Sequence, residues 1–213
     1  MGPTKIMIIR HAEKPGPYGG VQYNGINAVG TTDETSLVTM GWERAGGIAN
    51  LFYPTNNVFQ HAKLAKPDFI YAADPAVKKD GDEPSQRPYQ TISALAAKMN
   101  LPSGQVNISF KKKDFKKMVT HVLTLSGTVL ISWQHQDILP KTPGTDCIVH
   151  QLMKQTGTQQ STLQQPVPAG PWPAPRYDMV LVFDRPTGTG PFTSFTPIPQ
   201  LLLAGDLSTL FPA

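Results

Sequence analysis

Lys5-Ile6-Met7-Ile8-Ile9-Arg10-His11-Ala12-Glu13-Lys14 decides how the rest of the chain is read. Ile6 to Ile9 form a short apolar run, ended by charges and by Pro15. Such a run, rich in β-branched residues, predicts a buried strand. Arg10 and His11 stand where that strand ends. Open α/β sheets bind ligands outside the carboxyl ends of their strands. A guanidinium and an imidazole are therefore offered side by side at the expected binding edge.

Outward from this stretch, residues 15–36 are polar and glycine-rich and predict a long loop over that edge. Thr39 is suited to cap a helix over residues 40–52, where Ala45, Ile48, Ala49 and Phe52 recur at helical spacing and Pro54 follows. Glu43 and Arg44 read as solvated charges on it. Residues 68–73 predict a second buried strand, residues 74–84 a loop carrying Glu83, and Ser85 a cap for a helix over residues 86–99. Arg87 lies in the first turn of that helix, where a cation opposes the helix dipole, which hints at an anion to be held.

Residues 106–110 alternate apolar and polar and predict a third strand near an edge. The lysine-rich residues 111–117, which include Asp114, read as the solvated face of a helix that buries Met118, Val119 and Val122 and ends at Gly127. Residues 128–133 are the clearest strand and deliver Gln134-His135-Gln136-Asp137. A helix capped by Thr145 or Asp146 then runs to Gln155, closed by Gly157. It contains Cys147 and His150, whose spacing lacks the further ligands of a metal site. A proline-rich connector over residues 158–175 leads to a strand over 178–184 and an edge strand over 192–203 with prolines.

The resulting order is four βα units followed by two strands. It predicts a three-layer α/β/α sandwich with a mostly parallel sheet and a late antiparallel edge. The 213 residues suit a single domain over 1–213 with long loops at 15–36, 74–84 and 158–175. Of the 21 prolines and 18 glycines, 9 and 7 fall in those loops, which make up about a quarter of the chain. No apolar run reaches the length of a membrane span and no secretory signal is visible, so a cytoplasmic, membrane-free protein is expected. The single cysteine excludes an internal disulfide and fits a reducing compartment. A net charge of +4 suits an anionic ligand without pointing to nucleic acid. The lysine run lacks the interleaved aromatics of a stacking platform, apart from Phe110 and Phe115.

Three strand ends thus carry Arg10 and His11, Arg87, and His135. Two guanidinium groups can make paired hydrogen bonds to phosphate oxygens. A neutral imidazole is a nucleophile near physiological pH, and a second one can donate to a phosphoryl oxygen as charge moves. In these residues the chain resembles the histidine phosphatase superfamily, with its phosphoglycerate mutase-like fold. Arg10-His11-Ala12-Glu13 resembles the Arg-His-Gly motif. Ser85-Gln86-Arg87-Pro88-Tyr89-Gln90-Thr91 is similar to the second-arginine helix start, Trp133-Gln134-His135 to the strand bearing the second histidine, and Thr39-Met40-Gly41-Trp42-Glu43-Arg44-Ala45 to the first helix. The resemblance covers roughly residues 5–139 and, more weakly, the strand over residues 177–183.

The resemblance implies a phosphatase acting on a phosphorylated small molecule or other phosphomonoester. His11 would accept the phosphoryl group, and Arg10, Arg87 and His135 would bind its oxygens. No metal or other cofactor is implied. Ala12 stands where the motif has glycine. The general acid of active members has no evident counterpart: Asp137, Glu13, Glu83 and Asp114 are candidates, while Gln134 cannot serve and Gln136 occupies the place of one branch's acid. The alternative is a phosphate-binding protein on the same fold with little or no turnover. Nothing in the sequence argues for a mutase, which would need a site for a phosphorylated carboxylic acid.

Overall fold

In the computed structural model, residues 1–76, 84–102 and 104–211 are described. In chain order the elements are β1 Pro3–Arg10, β2 Gly16–Tyr18, β3 Val21–Tyr23, α1 Thr39–Phe52, β4 Phe69–Ala72, α2 Arg87–Met99, β5 Val106–Asn107, α3 Phe115–Val122, β6 Gly127–Trp133, α4 His135–Ile138, α5 Ile148–Thr156, β7 Met179–Asp184 and β8 Ser194–Pro199. The main sheet has the order β5-β4-β6-β1-β7-β8. β5, β4, β6 and β1 run parallel, whereas β7 is antiparallel to β1 and β8 to β7. This is an α/β sheet of the expected mixed kind.

The period-two alternation of β1 sorts its apolar side chains onto two faces. Met7 and Ile9 pack with Ile48 and Phe52 of α1 and Ile92 and Leu95 of α2. Ile6 and Ile8 pack with Met118 and Val122 of α3 and Ile148 and Leu152 of α5. Two helical layers therefore sandwich a sheet whose central strands are buried on both sides. Among the described residues, no helix is long and apolar enough to cross a membrane.

Several local expectations are corrected. Thr39 is the first residue of α1 rather than its cap; Val38 takes that position without a side-chain bond, and its N–H donates to the Glu13 carbonyl (3.1 Å). Ser85 does not cap α2, because Gln86 holds the cap position and donates its N–H to the Thr35 carbonyl (3.0 Å). In both cases the cap residue's own N–H is tied to a loop carbonyl, and no side-chain hydroxyl accepts a bond from the first turn. Gly127 opens β6 instead of ending α3; its φ of 87° and the Asp68 carboxylate against its α-carbon leave no room for a side chain. Cys147, not Thr145 or Asp146, caps α5, its Sγ accepting the His150 N–H (3.4 Å). Gly157 closes that helix in the left-handed region, as expected.

The stretch over residues 15–36 is more ordered than a loop. It carries the β2–β3 hairpin and an Ile26–Thr32 bridge, and the Trp42 indole N–H holds the Ile26 carbonyl (2.7 Å). Arg44, expected on the surface, is 3% exposed and lies among carboxylates.

Candidate active site

β1 and β6 are parallel neighbours, with Arg10 opposite Trp133, and the His11 N–H continues the ladder to the Trp133 carbonyl (2.9 Å). His11 and His135 thus leave adjacent strands at the same edge. The start of α2 is tied to both. Ser132 Oγ donates to the Pro88 carbonyl (2.9 Å), and the Ala12 N–H donates to Thr91 Oγ1 (2.8 Å), which donates to the Arg87 carbonyl (2.7 Å). These bonds carry Arg87 to the edge where Arg10, His11 and His135 already stand. The structure therefore brings all four residues together.

Arg10 is fully buried. Its Nη1 donates to the carbonyls of Ala174 (2.5 Å) and Arg176 (2.9 Å), and its Cζ lies 3.7 Å from the Tyr177 ring centroid. Arg87 Nη1 donates to the Glu34 carbonyl (2.9 Å). Neither guanidinium has a carboxylate partner among the described residues. Arg10 Nε, Arg87 Nε and His135 Nδ1 are buried without a hydrogen-bond partner. Unsatisfied buried polar groups are rare, and three converging on one place mark a site for an acceptor-rich ligand. Burial lowers the pKa of both arginines, and for Arg10 the Arg87 charge adds to the effect.

His11 Nδ1 lies 2.7 Å from the Ala12 carbonyl, which can only accept. Nδ1 therefore carries the proton, and Nε2 keeps its lone pair. Burial first, then the charges of Arg10, Arg87 and His135, hold His11 well below its ordinary pKa. Burial, followed by Arg10, Lys14 and Lys141, brings His135 down to about 4. Both rings are neutral at physiological pH.

The candidate acids fare differently. Glu13 Oε1 accepts two N–H groups from Arg44 (2.9 and 2.8 Å), while its Oε2 is buried without a partner. Asp137, 9% exposed, accepts the Gln134 side-chain amide. Asp114 pairs with Lys117 (3.1 Å) beside the start of α3. Glu83 lies outside the described residues. Among the described residues, no three His, Cys, Asp or Glu side chains group to hold a metal.

Sequence reasoning missed Tyr18 and Tyr177. Tyr177 lies under Arg10, its ring centroid is 6.3 Å from that of His11, and its hydroxyl is 3.3 Å from that of Tyr18. The missing signal was strand direction. Because β7 is antiparallel to β1, pairing Ile9 with Val180, the residues just before β7 fall beside the end of β1. A cavity of about 570 Å³ between residues 27–36 and α2, lined by Asn27, Trp42, Tyr89 and Ser93 among others, contains none of the four groups.

The fold and this edge define an α/β sandwich with a buried cationic pocket at the carboxyl ends of its parallel strands. No family model and no curated protein matches the sequence. Among solved structures, the chain is similar to the protein histidine phosphatase SixA complexed with tungstate, at 13% identity over 92% of this chain and 97% of that one, with a TM-score of 0.47. It is also similar to the putative phosphohistidine phosphatase SixA from Agrobacterium tumefaciens, at 14% identity over 87% and 94%, with a TM-score of 0.40.

Proposed function

We propose that the chain is a metal-independent phosphatase that hydrolyses phosphomonoesters through a phosphohistidine on His11. The observation that carries this reading is the set of unpartnered buried nitrogens on Arg10, Arg87 and His135 near a histidine whose Nδ1–H is held by the Ala12 carbonyl, which leaves the ring's lone pair on Nε2. In the first step Nε2 attacks phosphorus as the bond to the leaving oxygen breaks. The two guanidinium groups, held by backbone carbonyls rather than carboxylates, keep their charge for the phosphoryl oxygens. In the second step water attacks phosphorus, the P–N bond breaks, its electron pair returns to Nε2, and phosphate leaves. The sequence resemblance supports the same roles.

The occupation of Glu13, Asp137 and Asp114 by other partners favours one second reading, a phosphate-binding protein with little turnover. Hydrolysis of an aryl phosphate separates the two. The phosphatase reading expects measurable turnover, an acid-labile and base-stable phosphoryl label, and a loss of at least about 10³-fold in His11→Ala, on the scale of deleting a nucleophile. Absence of turnover in the wild type, with phosphate still bound, would establish the binding-only reading.

A further inference from the structure

We infer that Tyr177 is a catalytic residue, the proton donor to the leaving oxygen, filling the role for which no carboxylate is evident; this rests on the phosphatase reading above. The argument begins with proton counting. Tyr18 has one hydroxyl proton and two candidate acceptors, the Lys14 carbonyl at 2.8 Å and the Tyr177 hydroxyl at 3.3 Å. The shorter contact, to an atom that can only accept, takes the proton. Tyr177 then keeps its own proton, with only the long contact to Tyr18 competing for it.

Position supports the role. Tyr177 is 6% exposed, its ring is tilted at 51° to the His11 ring at 6.3 Å, and the Arg10 guanidinium lies 3.7 Å from its ring centroid. A proton leaving this hydroxyl would create a phenolate next to a fixed cation. Burial and the Tyr177 hydroxyl raise the Tyr18 pKa, so Tyr18 stays protonated and its bond to Lys14 persists.

A route for proton exchange lies behind the pair. A cavity of about 250 Å³ is lined by Tyr18, Tyr177, Glu13, Arg44 and Asp206 among others. It has room for several waters at about 30 Å³ each. Glu13, whose Oε2 is buried and unpartnered, lines the same cavity.

The step balances as follows. His11 Nε2 forms a bond to phosphorus, the P–O bond to the leaving group breaks with its electron pair on oxygen, and that oxygen takes the Tyr177 proton. In the second half, water attacks phosphorus and returns a proton to Tyr177, as the P–N bond breaks. The products are an alcohol and phosphate, with no further reactant.

The test compares a phenylphosphate carrying a nitro group with a simple alkyl phosphate. Protonation matters little for a nitrophenolate and greatly for an alkoxide. Tyr177→Phe keeps the ring under Arg10. We expect its kcat/KM to fall by about 100-fold on the alkyl ester, within the range of general acid catalysis, and by no more than a few-fold on the nitrophenyl ester. Glu34→Gln, altering the exposed carboxylate near Arg87, should show no such divergence. Replacing Tyr177 with a fluorinated tyrosine preserves the fold and should move the alkaline limb of kcat to lower pH on the alkyl ester only.

Equal losses on both esters, loss on neither, or the divergence appearing in Glu34→Gln would overturn the assignment of Tyr177. Inactivity of the wild type on both esters would instead remove the phosphatase reading, and this inference with it.

Discussion

Arg44, which is buried, and the pair of buried Arg10 and half-buried Arg87 are held in opposite ways. Arg44 meets Glu13 (2.8 Å) and Asp206 (2.6 Å), and its Nη1 also reaches Gln200 (3.1 Å). Burial acts to lower its pKa, but the hydrogen bonds and charges of Asp206 and Glu13 prevail and raise it. Among the described residues, Arg10 and Arg87 have backbone carbonyls as hydrogen-bond partners and no carboxylate, keep unpartnered Nε groups, and are lowered by burial. A buried cation with its carboxylates beside it completes a structure. One without them holds charge ready for a ligand. Arg44 also does a service for the pocket: it ties Glu13, two residues beyond His11, to the C-terminal segment at Asp206.

This contrast can be broken by experiment. The largest stability effect is expected at Arg44. Arg44→Met should cost about 3–5 kcal/mol in urea denaturation, because Glu13 and Asp206 would remain buried without their partner. Arg87→Met removes an unpaired cation and one bond to a carbonyl, so its stability should change by less than about 1 kcal/mol. Equal destabilisation by both would erase the distinction.

Next in size is catalysis. Arg10→Ala and Arg87→Ala should each lose at least about 2 kcal/mol of transition-state binding, roughly 30-fold in kcat/KM. Full kcat/KM in either would count against the pocket. A smaller effect sharpens the contrast from the ligand's side. Phosphate at about ten times its Kd should stabilise the wild type by about 1.4 kcal/mol in thermal unfolding, and Arg87→Met far less.

A further expectation concerns pH. The folded-state pKa values of His11 and His135 lie below the ordinary value near 6.5, with His135 at about 4. Below about pH 6.5 the unfolded chain therefore binds more protons than the folded one, and stability falls as pH drops toward about 4. His135→Gln should flatten that slope over the same window. An unchanged slope would show that the ring's neutrality in the pocket contributes nothing to it.

Legibility along the chain followed the range of the interactions. The strands at residues 69–72, 127–133 and 179–184 were visible because a buried strand must be apolar over a short run, whatever its neighbours. Helix faces were visible for the same reason. Caps were misread where tertiary contact overrode local preference, as when the Gln86 N–H was tied to the Thr35 carbonyl and Gln86, not Ser85, took the cap position. Tyr177, proposed above as the proton donor, was not legible in the sequence. Tyr177 arrives from an antiparallel strand whose direction no local pattern states.

By itself the sequence determined that a βα series carries Arg10, His11, Arg87 and His135 at its strand ends, since periodicity and charge placement are written residue by residue. Only the tertiary structure decided which arginine meets carboxylates and which does not. That depends on Glu13 and Asp206 meeting Arg44 across 31 and 162 residues of chain, and on Ala174 and Arg176 turning carbonyls toward Arg10. Such partners are chosen by packing, and a guanidinium reads the same in sequence whether or not a carboxylate waits beside it.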